Sequence, residues 1–280
     1  MDPNLKVIHS IVESSVNERE GKNYGSLKAS LGLKAKELIS LVGAGGKTTL
    51  MFRLAMDLVA EGKKVVTSTT TKILEPSSRE TAFLFVNRDE TKLKEAVSSH
   101  LKEYKHITIA SERLGLGKLK GVSSSLLNDL WSSHEIDYLI IEADGASGRP
   151  IKAPRDGEPV IPSNTTLVVA ILGVDGVGVE LSEMNAFQPE PISRITGIPI
   201  GEKMTEEAMA VLITDPGGIY KGAPPSSRVI AFLNKVDIAD GIAKAKRVAE
   251  KIIKKEHPQI ERVVLGQLRN SPAVVEVIFP

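Results

Sequence analysis

The chain alternates between short, continuously apolar runs and longer stretches of helical periodicity. The runs 38–42, 65–66, 83–86, 106–109, 138–141, 167–172 and 229–233 are apolar at nearly every position. Strands buried on both faces of a parallel sheet have this pattern, whereas half-exposed strands alternate. Between the runs, apolar residues recur at helical spacing. Leu50, Leu54 and Leu58 form one such face, with Gly62 suited to its C-terminal end. Leu93, Ala96, Val97 and Leu101 form a second, and Leu126, Leu127, Leu130 and Trp131 a third. Strand-helix alternation of this kind predicts an α/β fold: three layers, with a mostly parallel sheet flanked by helices.

Two regions fall outside the pattern. Residues 1–30 are polar and weakly periodic, and are expected to form an N-terminal extension to a domain spanning 31–280. Val7, Ile8, Ile11 and Val12 fit one face of a short helix there. Residues 173–225 are rich in Gly and Pro and carry no legible element.

The chemistry-bearing residues follow the apolar runs. Open α/β sheets bind ligands at the carboxyl ends of their strands. After the run 38–42 come Gly43, Ala44, Gly45, Gly46, Lys47, Thr48 and Thr49. This is a shortened phosphate loop, since the usual form has four residues between its glycines. The glycines let backbone N–H groups turn toward phosphate, and the following helix presents its positive end. Lys47 is suited to the β- and γ-phosphates and the Thr48 hydroxyl to Mg²⁺. A plain glycine-rich turn with an incidental lysine is the competing explanation. The ordered set of strand, loop, Lys-Thr and amphipathic helix outweighs it and makes the fold one of P-loop NTPase type.

Thr70, Thr71 and Lys72 close the second run. They are expected near the γ-phosphate or metal, although threonine is also common at strand ends. Glu142 and Asp144 end the run 138–141, where P-loop enzymes hold Mg²⁺. Lys47, Glu142 and Asp144 form the expected catalytic set, and Thr48 and Asp144 the expected metal pair. Arg149 and Lys152 are candidates to neutralise charge that develops on phosphate. Asn234, Lys235, Val236 and Asp237 follow the run 229–233 with the form N-K-x-D. An aspartate there can accept from guanine donors that adenine lacks. Here the competing explanation is a helix N-terminus, with Asp237 or Asp240 capping a helix over 242–253.

Composition narrows the function. The net charge of +1 gives no reason to expect nucleic acid. Lysines and arginines between 244 and 255 read as a solvated basic helix face. There are no cysteines, so the chain cannot carry sulfur or selenium on a thiol. Five histidines, at 9, 100, 106, 134 and 257, do not pair at metal-ligand spacing. No apolar run reaches membrane-spanning length, and no secretory pattern opens the chain, so the cytosol is the expected compartment.

Taken in order, 41–50, 69–73, 142–146, 150–154 and 234–237 resemble the YqeC family, described as accessory to selenium-dependent molybdenum hydroxylases. The similarity runs from about residue 31 to the C-terminus. It implies a cytoplasmic P-loop protein with Mg²⁺ and bound GTP or ATP, GTP being favoured. It implies as partner a client molybdenum hydroxylase or another accessory protein, with a homodimer allowed. The expected activity is NTP hydrolysis by a GTPase or ATPase. Where the family tends to His-Arg before Pro-Glu, this chain has Phe187 and Gln188. The shortened loop also resembles that of Mur-type amide ligases. An ATP-dependent ligase or small-molecule kinase, and a non-catalytic nucleotide-binding scaffold, are therefore the rival functions.

Overall fold

A computed structural model describes residues 26–132 and 135–280. The expected helix face on Val7, Ile8, Ile11 and Val12 lies outside the described residues. Within them, nine strands form one sheet. In chain order these are β1 (Glu37–Gly43), β2 (Val65–Thr69), β4 (Phe83–Val86), β5 (His106–Ala110), β8 (Tyr138–Glu142), β10 (Leu167–Gly173), β12 (Arg228–Asn234), β13 (Ile260–Gly266) and β14 (Val274–Ile278). The spatial order is β14-β13-β12-β10-β1-β8-β2-β5-β4. Neighbours are parallel except β14, which runs antiparallel to β13.

The apolar runs are apolar throughout because alternate residues face two different cores. Every residue of β1, β8 and β10 is buried. On one side Ile39, Leu41, Ile140, Val169 and Ile171 pack against α2 (Lys47–Ala60) and the short α1 (Leu27–Ser30). Leu27 and Leu31 are buried in this core, so the packed body begins within the first thirty residues. On the other side two cores lie side by side. Leu38, Val66, Leu139 and Ile141 meet α3 (Glu90–Tyr104) and α4 (Ser124–Ser132). Val168, Ala170, Leu172, Ala231 and Leu233 meet α6 (Glu206–Thr214) and α7 (Gly241–Lys254). The result is the expected three-layer α/β arrangement with a P-loop.

Several elements carry little periodic signal. α5 (Pro189–Thr196) and α6 occupy the Gly- and Pro-rich stretch. Ala208, Met209, Ala210, Leu212 and Ile213 are all buried, so α6 shows almost no polar face to mark it as a helix. The basic face of α7 is partly neutralised by α6, with Arg247 on Glu206 and both Lys251 and Lys255 on Glu207. A small antiparallel sheet, β3 (Lys72–Leu74), β7 (Lys118–Lys120) and β6 (Glu112–Leu114), stands at the carboxyl end of β2. A two-stranded pairing of β9 (Ile151–Lys152) with β11 (Ala186–Phe187) completes the set.

Candidate functional site

The sheet order fixes which motifs meet. β1 lies between β8 and β10, with Leu41 opposite Glu142. The phosphate loop therefore has the β8 carboxylates on one flank. The end of β12 lies two strands away on the opposite flank, beyond β10. The end of β2 lies two strands away on the carboxylate side. At about 4.8 Å per strand, each motif comes within reach of one ligand anchored at the loop.

The loop needs its glycines. Gly43 sits at φ 95° and a Cβ there would run into the Ile171 carbonyl oxygen. Gly46 sits at φ 146°, where a Cβ would strike the Asn234 side chain. Gly46 is also the N-cap of α2, and no side chain caps that helix. Its N-terminal donors and the helix dipole are thus directed at the loop, as phosphate binding requires.

Beneath the loop lies a buried charge network. The Lys47 Nζ donates to the Gly43 carbonyl at 2.6 Å and lies 3.2 Å from Asp144 Oδ1 and 3.8 Å from Glu142 Oε1. Burial disfavours its charge, but the Asp144 and Glu142 carboxylates outweigh this and hold its pKa above the usual lysine value. Burial pushes the Glu142 carboxyl up, with Lys47 and the Thr48 hydroxyl opposing. The Thr48 hydroxyl donates to Glu142 Oε2 at 2.6 Å. Of the expected metal pair, Thr48 and Asp144, the Thr48 side chain has Glu142 rather than Asp144 as its hydrogen-bond partner. The reason is that Asp144 is turned inward. Its Oδ2 accepts from the Gly43 N–H at 2.9 Å and lies 3.1 Å from Lys152 Nζ, and the residue is wholly buried.

Lys152 is also wholly buried. Its ammonium is spent on Asp144, on Glu158 Oε2 at 3.0 Å and on the Gly145 carbonyl at 2.7 Å. It thus ties the 145–158 segment to the network rather than facing ligand space as Arg149 does. Glu158 also accepts from Arg155 at 2.5 Å. Against the cost of its burial, Arg155 and Lys152 hold the Glu158 pKa below the ordinary value. Sequence alone gave no sign that Glu158 belongs here.

Asn234 braces the loop from the far flank. Its Nδ2 donates to the Gly45 carbonyl at 2.8 Å, and its Oδ1 accepts from the Leu268 N–H at 3.1 Å. Lys235, at φ 68°, forms an ion pair with Asp175 at 2.5 Å. Asp237 is exposed and accepts from Asn270 Nδ2 at 3.0 Å. It does not cap α7, whose N-cap is Asp240 with no side-chain capping bond. Asp175, Leu268 and Asn270 were not legible as site residues, because each reaches the site through the fold rather than through a motif.

One cavity of about 1320 Å³ collects these groups. Gly45, Gly46, Lys47, Thr48, Thr49, Thr70, Thr71, Lys72, Glu142, Arg149, Asn234, Lys235 and Asp237 all line it. Gly43, Ala44 and Asp144 lie buried below. Thr70 donates its hydroxyl to the Val160 carbonyl at 3.0 Å, and Arg149 Nε donates to the Glu183 carbonyl at 2.8 Å. The architecture is that of a nucleotide-binding P-loop protein. Among the described residues, no helix is long and apolar enough to cross a membrane.

Comparison with known proteins gives the chain its relatives. Among solved structures it is similar to signal recognition particle 54 kDa protein from Aeropyrum pernix K1, solved in complex with GDP. That likeness has 17% identity and a TM-score of 0.35, over 84% of this chain and 42% of that one. It is similar to FtsY from Mycoplasma mycoides at 12% identity and a TM-score of 0.39, over 88% of this chain and 63% of that one. The protein called "Uncharacterized protein YqeC" in Escherichia coli (strain K12) is 30% identical over 242 residues, which is 86% of this chain and 91% of that protein. The profile of the family described as "YqeC protein" matches residues 39–190, the span that contains both the phosphate loop and the carboxylates facing it. With more than half its length inside that profile and a 30% identical YqeC relative matched over 86% of this chain, the chain belongs to the YqeC family.

Proposed function

We propose that this chain binds a nucleoside triphosphate with Mg²⁺, GTP in preference to ATP, and hydrolyses it while serving as a maturation factor for a selenium-dependent molybdenum hydroxylase. The observation that carries the nucleotide half is the contact of Thr48 with Glu142 at 2.6 Å on the wall of the phosphate-loop cavity. These are two hard oxygen donors side by side, the donor set Mg²⁺ takes when phosphate oxygens and water supply the rest. Among the described residues no three His, Cys, Asp or Glu side chains group for a metal.

In this reading Gly43, Ala44, Gly45, Gly46 and Thr49 form the phosphate cradle, and Lys47 meets the β- and γ-phosphate oxygens. Thr48 and Glu142 would hold Mg²⁺, which would supply neutralisation of the charge on those oxygens. Asp144 is the positioning residue. It holds the Lys47 ammonium from below and fixes the Gly43 N–H. Thr70 and Thr71 face the γ-phosphate end. Asn234 holds the loop, the Lys235 stem covers the base, and Asp237 accepts from the guanine edge. The client half rests on family membership. The lack of cysteine supports a gating or energy role rather than selenium carriage.

Competition binding of GTP and ATP to the purified chain with Mg²⁺ tests the reading. GTP is expected to bind at least tenfold tighter. Equal affinities would remove the guanine assignment, and binding of neither would remove the nucleotide assignment.

A further inference from the structure

The cavity exceeds the ~300–1,000 Å³ that usually encloses one small ligand. Its lining runs from Asp237 and Leu268 past the phosphate loop to Lys72, Lys118 and Lys120. A nucleotide whose base sits at Asp237 enters from the β12 flank and ends its phosphate chain near Thr48 and Glu142. Beyond that point, across β8 and β2, the space continues under the small β3-β7-β6 sheet. We infer that this far arm is a binding site for a second, phosphate-bearing small molecule, placed against the γ-phosphate end of the nucleotide; the inference rests on the nucleotide reading above.

Charge carries the argument. β3 and β7 pair antiparallel with Lys72 opposite Lys120 and Leu74 opposite Lys118. Residues directly opposite share a face, so Lys72, Lys118 and Lys120 stand together on one side of this sheet. The other side is committed to the core through buried Ile73 and Leu119. Like charges set opposite one another in a sheet oppose its formation. All three lysines line the cavity and are exposed. Arg149 faces them from the 145–149 loop. None of these four cations has a carboxylate within ion-pair distance among the described residues. Glu158 is the one acid lining this arm, and it is held between Lys152 and Arg155. Glu112, opposite Lys120 on the same face of this sheet, is taken up by Arg88, so four cations without an ion-pair partner border one cavity and attract a multiply charged anion. Cations brought to one cavity from two separate segments, the small sheet and the 145–149 loop, favour a compact phosphate over an extended acidic chain.

The test uses the full chain, saturated with a non-hydrolysable GTP analogue in excess Mg²⁺, with pyrophosphate as the probe in calorimetry. One further equivalent is expected to bind. Lys118→Gln with Lys120→Gln is expected to weaken it tenfold or more and to leave nucleotide affinity within twofold. Lys92→Gln with Lys102→Gln, two exposed lysines of α3, is the control for net charge and is expected to change neither. No second equivalent, or equal weakening by the control pair, would overturn the inference while the nucleotide reading stands. If the nucleotide itself does not bind, that reading falls, and pyrophosphate is titrated into the bare chain. Dependence on Lys118 and Lys120 then supports the arm, and dependence on Lys47 alone overturns it. A hexaglutamate peptide that binds there and is not displaced by pyrophosphate would give the arm to a protein segment and also overturn it.

Discussion

The Asn234 amide donates to the carbonyl oxygen of Gly45 at 2.8 Å, so the motif that ends β12 holds the phosphate loop in shape across the intervening strand β10. The same side chain accepts from the Leu268 N–H. Asn234→Ala leaves the buried Leu268 N–H and the partly buried Gly45 carbonyl unpaired. A loss of about 1–3 kcal/mol in unfolding free energy is expected, with weaker triphosphate binding. Chemical denaturation and calorimetry measure the two, and an unchanged loop affinity in a destabilised protein would confine Asn234 to a folding role.

Glu142→Gln separates charge from shape. Glutamine still offers the Thr48 hydroxyl an acceptor, so the wall stays intact. The Mg²⁺ concentration needed for half-maximal nucleotide binding is expected to rise tenfold or more. Binding without Mg²⁺ should be no weaker. Mg²⁺ titrations followed with a fluorescent nucleotide give both numbers.

Asp237→Asn is expected to move base preference from guanine toward xanthine nucleotides, whose C2 carbonyl accepts where the guanine amino group donates. Charge-assisted hydrogen bonds of this kind contribute about 1.5–3 kcal/mol each, enough for tenfold discrimination. Because Asp237 is exposed and makes no helix cap, little change in melting temperature should accompany the shift. Competition of GTP, ATP and XTP reads the ranking, and the same ranking in both proteins would remove Asp237 from base recognition.

Lys152→Met leaves Asp144 and Glu158 buried with less compensating charge. Breaking such a pair costs about 3–5 kcal/mol. Adding Glu158→Gln removes one of the stranded charges and is expected to recover part of the loss. Urea denaturation of the single and double variants checks this. Additive losses would show that Lys152 and Glu158 are not coupled.

His106 gives the stability a pH slope. It is buried, bonded to the Thr67 hydroxyl at 3.0 Å, and burial lowers its pKa from 6.5 to about 4. The unfolded chain takes up this proton first as pH falls. Its contribution is therefore fully present above pH 6.5 and is lost progressively down to about pH 4. Over that window the loss amounts to about 3 kcal/mol, at 1.36 kcal/mol per pKa unit. Replacement by Asn should flatten this part of the pH–stability curve. An identical slope in the variant would show that other groups set it.

What the sequence determined by itself is the fold class and the location of its chemistry. Runs such as 167–172 can be apolar throughout only if both strand faces are covered, and that requires helices on two sides. Glycine followed by Lys-Thr at a strand end forces a loop whose φ values exclude side chains. Glu142, Asn234 and Asp237 are legible for the same reason: polar residues at the end of an apolar strand have to stand at the sheet's edge. The partners of these residues were decided only in three dimensions. Thr48 meets Glu142 because β8 lies beside β1 and the Gly43 N–H draws Asp144 beneath the loop. Lys152 and Glu158 join the network through the fold of a loop without periodicity. The lysines of β3 and β7, forty-odd residues apart in sequence, face one cavity because two strands pair antiparallel. Periodicity records which face of an element is buried, but it carries no information about which distant side chain lies across the gap, and charge compensation is set across such gaps.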